Sequence, residues 1–149
     1  MKNNQIENIA TIMFNSGYNC SQAVLSTFAE SLAFSKETAI NLAAGFGAGM
    51  GRLQNTCGAV TGAYMAIGQY CGKIHENNKE VIEASYNLVQ EFDKRFIEIH
   101  QTTQCKQLIH CDLKTEEGQA EFKQKNLKRD VCEVCVADAV TIVSELINN

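Results

Sequence analysis

The stretch Asn78–His100, NKEVIEASYNLVQEFDKRFIEIH, decides the fold class. Val81, Ser85, Leu88, Phe92, Phe96 and Ile99 recur there at three- and four-residue steps, which marks one face of an α-helix and fits no strand. The same period continues on either side. Upstream it predicts a helix from Asn4 to Asn15, with Ile6, Ile9, Ala10 and Met13 inward and Gly17 as its stop. A second is expected from Asn19 to Ser31 over Ala23, Val24, Phe28 and Leu32, and a third from Lys36 to Ala44 capped by Ser35. A fourth follows Thr56 and stops at Gly72. Downstream, short helices after Thr103 and Thr115 precede a last one from Asp130 to Ile147, with Val134, Ala137, Val140, Val143 and Leu146 or Ile147 inward. With no proline, no alternating β-branched run and no hairpin dipeptide, the expectation is an all-α, single-domain helical bundle over residues 1–149, with about five main helices plus short ones.

Composition narrows the function classes. The 149 residues are 45% hydrophobic and 20% charged, which suits a packed core. A net charge of −4 and scattered Lys and Arg supply no footprint for nucleic acid. The polar start Met1–Gln5 carries no apolar signal segment and no later run is long enough to insert in a membrane, so the expected location is the cytoplasm. Seven cysteines in such a compartment point to metal binding or redox chemistry ahead of a disulfide framework, and the odd count agrees.

The glycine-rich run Gly45-Phe46-Gly47-Ala48-Gly49-Met50-Gly51-Arg52 lacks the Lys-Ser/Thr of a phosphate loop and follows a helix, so it is read as a sharp turn that approaches helices or a bound group. After it comes Thr56-Cys57-Gly58-Ala59-Val60-Thr61-Gly62. Here Thr56 is expected to cap a helix with Cys57 in its first turn, where exposed amides favour a thiolate. Gly58 and Gly62, one turn apart, would leave room for a second helix or a bound cofactor. The placement recurs: Asn19 before Cys20, Thr102 or Thr103 before Cys105, and Asp130 before Cys132. Thiolates around a shared centre would gain from helix starts in a way that inert core cysteines would not. Cys132 and Cys135 also form a CxxC, which has no second pair to complete a zinc ribbon. Cys71, Cys111 and Cys135 read as packing residues, and His75, His100 and His110 as surface or capping residues.

On Asn19-Cys20-Ser21-Gln22-Ala23-Val24-Leu25, the run Gly45 to Arg52, Cys57-Gly58-Ala59-x-x-Gly62, Cys105 through Leu113 and the late Cys132, the chain resembles the C-GCAxxG-C-C family of redox-active proteins. The resemblance extends over essentially the whole chain and places the family's four signature cysteines at Cys20, Cys57, Cys105 and Cys132. It implies an all-helical protein of bacteria and archaea associated with oxidoreductase or transport systems, with a relative in multihaem cytochromes that holds an iron-sulfur centre. No Cys-x-x-Cys-His is present, so covalent c-type haem is not expected. Many members have proline after the last cysteine, where this chain has Glu133 and adds Cys135.

Three functions follow as expectations. The first is an iron-sulfur site for electron transfer on Cys20, Cys57, Cys105 and Cys132, serving a redox partner protein. The second is thiol-disulfide or persulfide exchange with Cys57 as catalytic nucleophile and no cofactor. The third is a structural zinc site or a helical interaction module, with homo-oligomerisation open in each case.

Overall fold

The computed structural model describes residues 3–148. It is all-α, and no strand occurs among these residues. Helices α1 (Asn3–Asn15), α2 (Cys20–Thr27), α3 (Lys36–Ala43), α4 (Gly58–Ile74) and α5 (Asn78–His100) are followed by two short helices, α6 (Cys105–Ile109) and α7 (Glu116–Gln124). A wide π turn at Lys128–Cys132 leads without a break into α8 (Glu133–Ile147). No described helix is long and apolar enough to cross a membrane.

Local chemistry sets most of the boundaries. Asn19 and Gln22 form a reciprocal cap: the Asn19 side chain accepts from the Gln22 amide while Gln22 Oε1 accepts from the Asn19 amide, both at 2.9 Å. Ser35, Asn77 and Thr115 cap α3, α5 and α7 in the simpler way. Helix α2 stops at Thr27, short of the expected Ser31, because the chain curls back through Ala33 at φ +56° and the Phe34 amide bonds to Ala29 O at 3.0 Å. Helix α4 runs on past Gly72 to Ile74.

The core is built from Val24, Phe28, Val60, Ile67, Phe92, Phe96, Val136, Val140 and Val143, all fully buried. On α5 the inward row is Phe92, Phe96 and His100, each four residues from the next. Ile99 lies off that row and is 53% exposed, against expectation. Ile9 and Val134 are likewise exposed: the buried stripes run through Ile6, Ala10, Met13 and Phe14, and through Cys135, Val136, Ala139 and Val140. In each case more than one residue of the turn could face inward, His100 in place of Ile99 among them, and the register is set by packing between helices.

Two approaches in this bundle position the thiols. Helix α4 lies close on α2 because residues 58 and 62 have no side chain. A β-carbon on Gly62 would fall 2.8 Å from Ser21 O, and one on Gly58 would fall 2.3 Å from Cys20 Sγ. Between these glycines, Ser21 Oγ and Thr61 Oγ1 meet at 3.4 Å. The second approach pairs residues 54–57 with 103–106 through an isolated antiparallel bridge at Thr56 and Gln104. The Cys57 amide donates to Thr103 O and the Cys105 amide to Asn55 O, both at 2.7 Å.

Candidate thiol site

Cys20, Cys57, Cys105 and Cys132 line one cavity of about 390 Å³, and Cys135 joins them as a fifth thiol. All are free cysteines. The same wall includes Gly49, Gly58, Phe14, Arg52 and Lys128. Gly58 is thus part of the cavity, whereas Gly62 faces α2 and does not line it.

Each sulfur has its own setting. Cys20 opens α2, and its sulfur faces its own amide and those of Ser21 and Ala48. Cys57 is itself the N-cap of α4, so the expected cap by Thr56 is corrected: Thr56 is held in the bridge to Gln104. Its side chain makes no capping hydrogen bond of the kind a serine or aspartate makes, although the amides of Ala59 and Val60 lie on the side of the sulfur and favour its thiolate. Cys105 begins α6 after Gln104, which is the N-cap; Thr102 Oγ1 accepts from the Gln104 amide and so supports the turn without capping the helix. Cys132 departs furthest from expectation. Asp130 does not cap a helix there, because it lies inside the π turn, and Cys132 sits within a continuous helical path.

The Ala48 amide reaches Cys20 through an unusual backbone. Ala48, Gly49, Met50, Gly51 and Arg52 all have positive φ, from 56° to 67°, and form one turn of left-handed helix. It is closed by Gly51 N donating to Gly47 O at 2.9 Å. Each non-glycine residue in this conformation costs about 1–2 kcal/mol. At Gly49 glycine is required twice over, since φ is +67° and a β-carbon would stand 2.5 Å from Gln54 Cα and 2.7 Å from Cys105 Cβ. The turn is anchored by buried Gln54, whose Nε2 donates to Cys111 O at 2.6 Å and whose Oε1 accepts from the Leu113 amide at 2.8 Å.

Electrostatics divide the thiols. Burial pushes the Cys20 thiol up to about 11, with Cys57 adding to the rise, and pushes Cys105 up to about 12, with Cys57, Cys20 and Cys111 adding. Cys132 is raised by burial and by the same neighbours. Cys57 alone moves down, first because the Cys135 thiol donates to it, then through the Ala59 and Val60 amides and the nearby His100. Cys135 is held protonated in return. No carboxylate lines the cavity, while Arg52, Lys123 and Lys128 do, none of them paired with a carboxylate among the described residues. Lys128 Nζ rests 5.0 Å from the centre of the Phe14 ring.

Behind Cys135 stands a group that reading by spacing missed. Cys135 Sγ is 3.9 Å from His100 Nδ1, and His100 Nε2 is 2.8 Å from Asp138 Oδ2. His100 is therefore not a surface residue: its side chain is only 12% exposed and its ring lies against Phe96. Cys135 is buried in the core as expected and also lines the cavity, whereas Cys71 is fully buried in the core and outside the cavity. Cys111 belongs to a small satellite core with Cys105, Ile109 and Leu113. Signals for the missed group were present, in the Phe92-Phe96-His100 row and in the one-turn spacing of Cys135 and Asp138.

The described chain is all-helical, and five cysteines line one cavity whose wall holds no carboxylate. The family model described as "Putative redox-active protein (C_GCAxxG_C_C)" matches residues 18–146, and the chain belongs to that family. No curated protein and no solved structure matches it.

Proposed function

We propose that Cys20, Cys57, Cys105 and Cys132 hold an iron-sulfur cluster, in the simplest case a two-iron one, and that the protein carries electrons for a redox partner. The observation behind this is the character of the cavity: soft sulfur donors from four separate elements, cations in the wall and no carboxylate. Burial and the neighbouring thiols raise Cys20, Cys105 and Cys132, so a cation among them would favour the loss of their protons. Structural zinc, the competing occupant, would need four sulfurs about 2.3 Å from one centre. Ligands of a cluster are shared among several irons and stand further apart.

When bound, such a cluster supplies a one-electron centre. The chain's own groups serve it in three ways. The four cysteines provide the thiolates. The amides of Ala48, Ser21, Ala59 and Val60 are directed at sulfur, where they stabilise negative charge. Arg52, Lys123 and Lys128 offset the net negative charge of a thiolate-bound cluster. Anaerobic purification followed by iron, acid-labile sulfide and visible absorption measurements tests the reading. Stoichiometric iron and sulfide, lost on serine substitution at each of the four positions and kept in Cys71→Ser, is the expected result; a colourless chain with zinc or with no metal overturns it.

A further inference from the structure

Arg52, Lys123 and Lys128 line the thiol cavity from its exposed side, and charge offset at the sulfurs does not by itself account for their setting. The thiols of Cys57, Cys105 and Cys135 are buried, whereas Tyr18, Phe122 and Val131 form a half-buried apolar collar between floor and rim. The three cations come from separate segments: the left-handed turn, α7 and the start of the π turn. Local acids take up the other cations nearby. Glu121 pairs with Lys125 and Asp130 with Arg129, neither of which lines the cavity, and Lys123 and Lys128 are left without a carboxylate among the described residues. Arg52 holds its place at φ +65°, a conformation glycine adopts freely and arginine does not, and no ion pair among the described residues offsets that strain.

The cavity, about 390 Å³, equals the share of about thirteen waters at roughly 30 Å³ each. That is room for a small organic molecule, and a concave, mainly apolar pocket of this size with a few polar groups ordinarily takes one. Its charge follows from the rim. Three cations and no carboxylate repel an amine, and the collar gives a fully hydrated inorganic anion nothing to rest on. A guanidinium matches a carboxylate with two parallel hydrogen bonds. We propose that the mouth of the thiol cavity binds a small organic acid, a carboxylate on a flat apolar body, with the carboxylate held by the Arg52 and Lys128 side chains and the body against the collar. The site concerns the mouth and stands whether or not a cluster occupies the floor. Its occupant would lie over the thiols and screen them from water.

The test is equilibrium dialysis of naphthoate against the full chain as purified anaerobically, with iron measured on the same sample. Saturable binding is expected, with the neutral naphthylmethanol and the cationic naphthylmethylamine held roughly tenfold less tightly or worse. Arg52→Gly and Lys128→Gln should each weaken naphthoate by about tenfold, while Lys79→Gln, on α5 and outside the cavity, leaves it unchanged. Arg52→Gly also separates recognition from folding: it relieves the positive φ, so its Tm should not fall. No saturable binding below about 5 mM, equal binding of the amine, or wild-type affinity in both Arg52→Gly and Lys128→Gln overturns the site. Acetate that displaces naphthoate at equal concentration overturns the part given to the collar. Naphthoate bound by an iron-free chain would end the cluster reading and leave this site standing, and iron without naphthoate binding would do the reverse.

Discussion

Gly58→Ala separates placement of the site from stability of the fold. The new β-carbon would stand 2.3 Å from Cys20 Sγ and 3.1 Å from both Phe46 O and the Ser21 amide. Ordinary contact lies near 3.5–4.0 Å, so the sulfur must retreat by about 1.2–1.7 Å. Rotation about χ1 achieves that, and it takes the sulfur off its line to the cavity. Overpacking costs about 1–3 kcal/mol, while replacing glycine inside a helix returns about 0.4–1 kcal/mol through the unfolded chain. The net loss is therefore about 0–2.5 kcal/mol, small beside the roughly 5–15 kcal/mol of an ordinary domain, and at most about 10 °C in Tm. Iron and acid-labile sulfide after anaerobic reconstitution should nevertheless fall several-fold. The paired assay is guanidinium unfolding of the same preparation. Wild-type iron and sulfide in Gly58→Ala would refute the idea that this bare position seats Cys20.

Gly62→Ala should behave in the opposite sense, losing about 1–3 kcal/mol by the same unfolding assay, because its β-carbon meets the Ser21 carbonyl, which cannot rotate away. Gly49→Ala combines a left-handed residue with contact against Gln54 Cα and Cys105 Cβ, for a loss of about 2–5 kcal/mol in the same denaturation measurement. Iodoacetamide at neutral pH should label Cys57 first in the reduced, metal-free chain, as read by peptide mapping. A thiol whose pKa is lowered is thiolate at lower pH, whereas Cys20, near 11, and Cys105, near 12, keep their protons until the pH climbs toward those values. Cys57→Ser should abolish both cluster content and that first labelling with the helical circular dichroism spectrum kept, and Cys71→Ser, at a core position, should leave both intact.

How far the fold was legible follows from where its information lies. Asn78–His100 is found with its ends unshifted because Asn77 caps it locally and its period is long. The second helix was drawn too long, since the turn through Ala33 and Phe34 depends on a carbonyl of Ala29 that becomes available only once the chain has curled back. Ile9, Ile99 and Val134 were assigned inward for a related reason. Each lies within a turn of other residues able to face inward, Phe96 and His100 beside Ile99, Ile6 and Ala10 beside Ile9, Cys135 and Val136 beside Val134, and only the partner helix decides which of them faces the core. The left-handed turn at Ala48–Arg52 left a trace in its alternating glycines, but its hand is enforced by Gln54, whose partners Cys111 and Leu113 are more than fifty residues away.

At the site, the residues selected from sequence come together for reasons different from those that selected them. Helix starts and the dipole attached to them were the common feature read at Cys20, Cys57, Cys105 and Cys132. Only Cys20 has the anticipated side-chain cap; Cys57 occupies the N-cap position without a side-chain capping bond, Cys105 follows a residue that caps nothing with its side chain and Cys132 lies inside a helix. What gathers them is non-local: the bare face of α4 seats Cys20 beside Cys57, the pairing of residues 54–57 with 103–106 brings Cys105 to Cys57, and the π turn carries Cys132 inward. Cys135 and His100 escaped notice because each is unremarkable in its own segment, and their relation exists only where the end of α5 crosses the start of α8. The π turn bears on this as well. It widens the helix just before α8 and returns the backbone to regular geometry at Glu133, so that Cys132 faces the other signature thiols while Cys135, one turn later, faces both Cys57 and His100. A single CxxC is thereby divided between two partners: its first sulfur joins the proposed ligand set and its second the oriented imidazole.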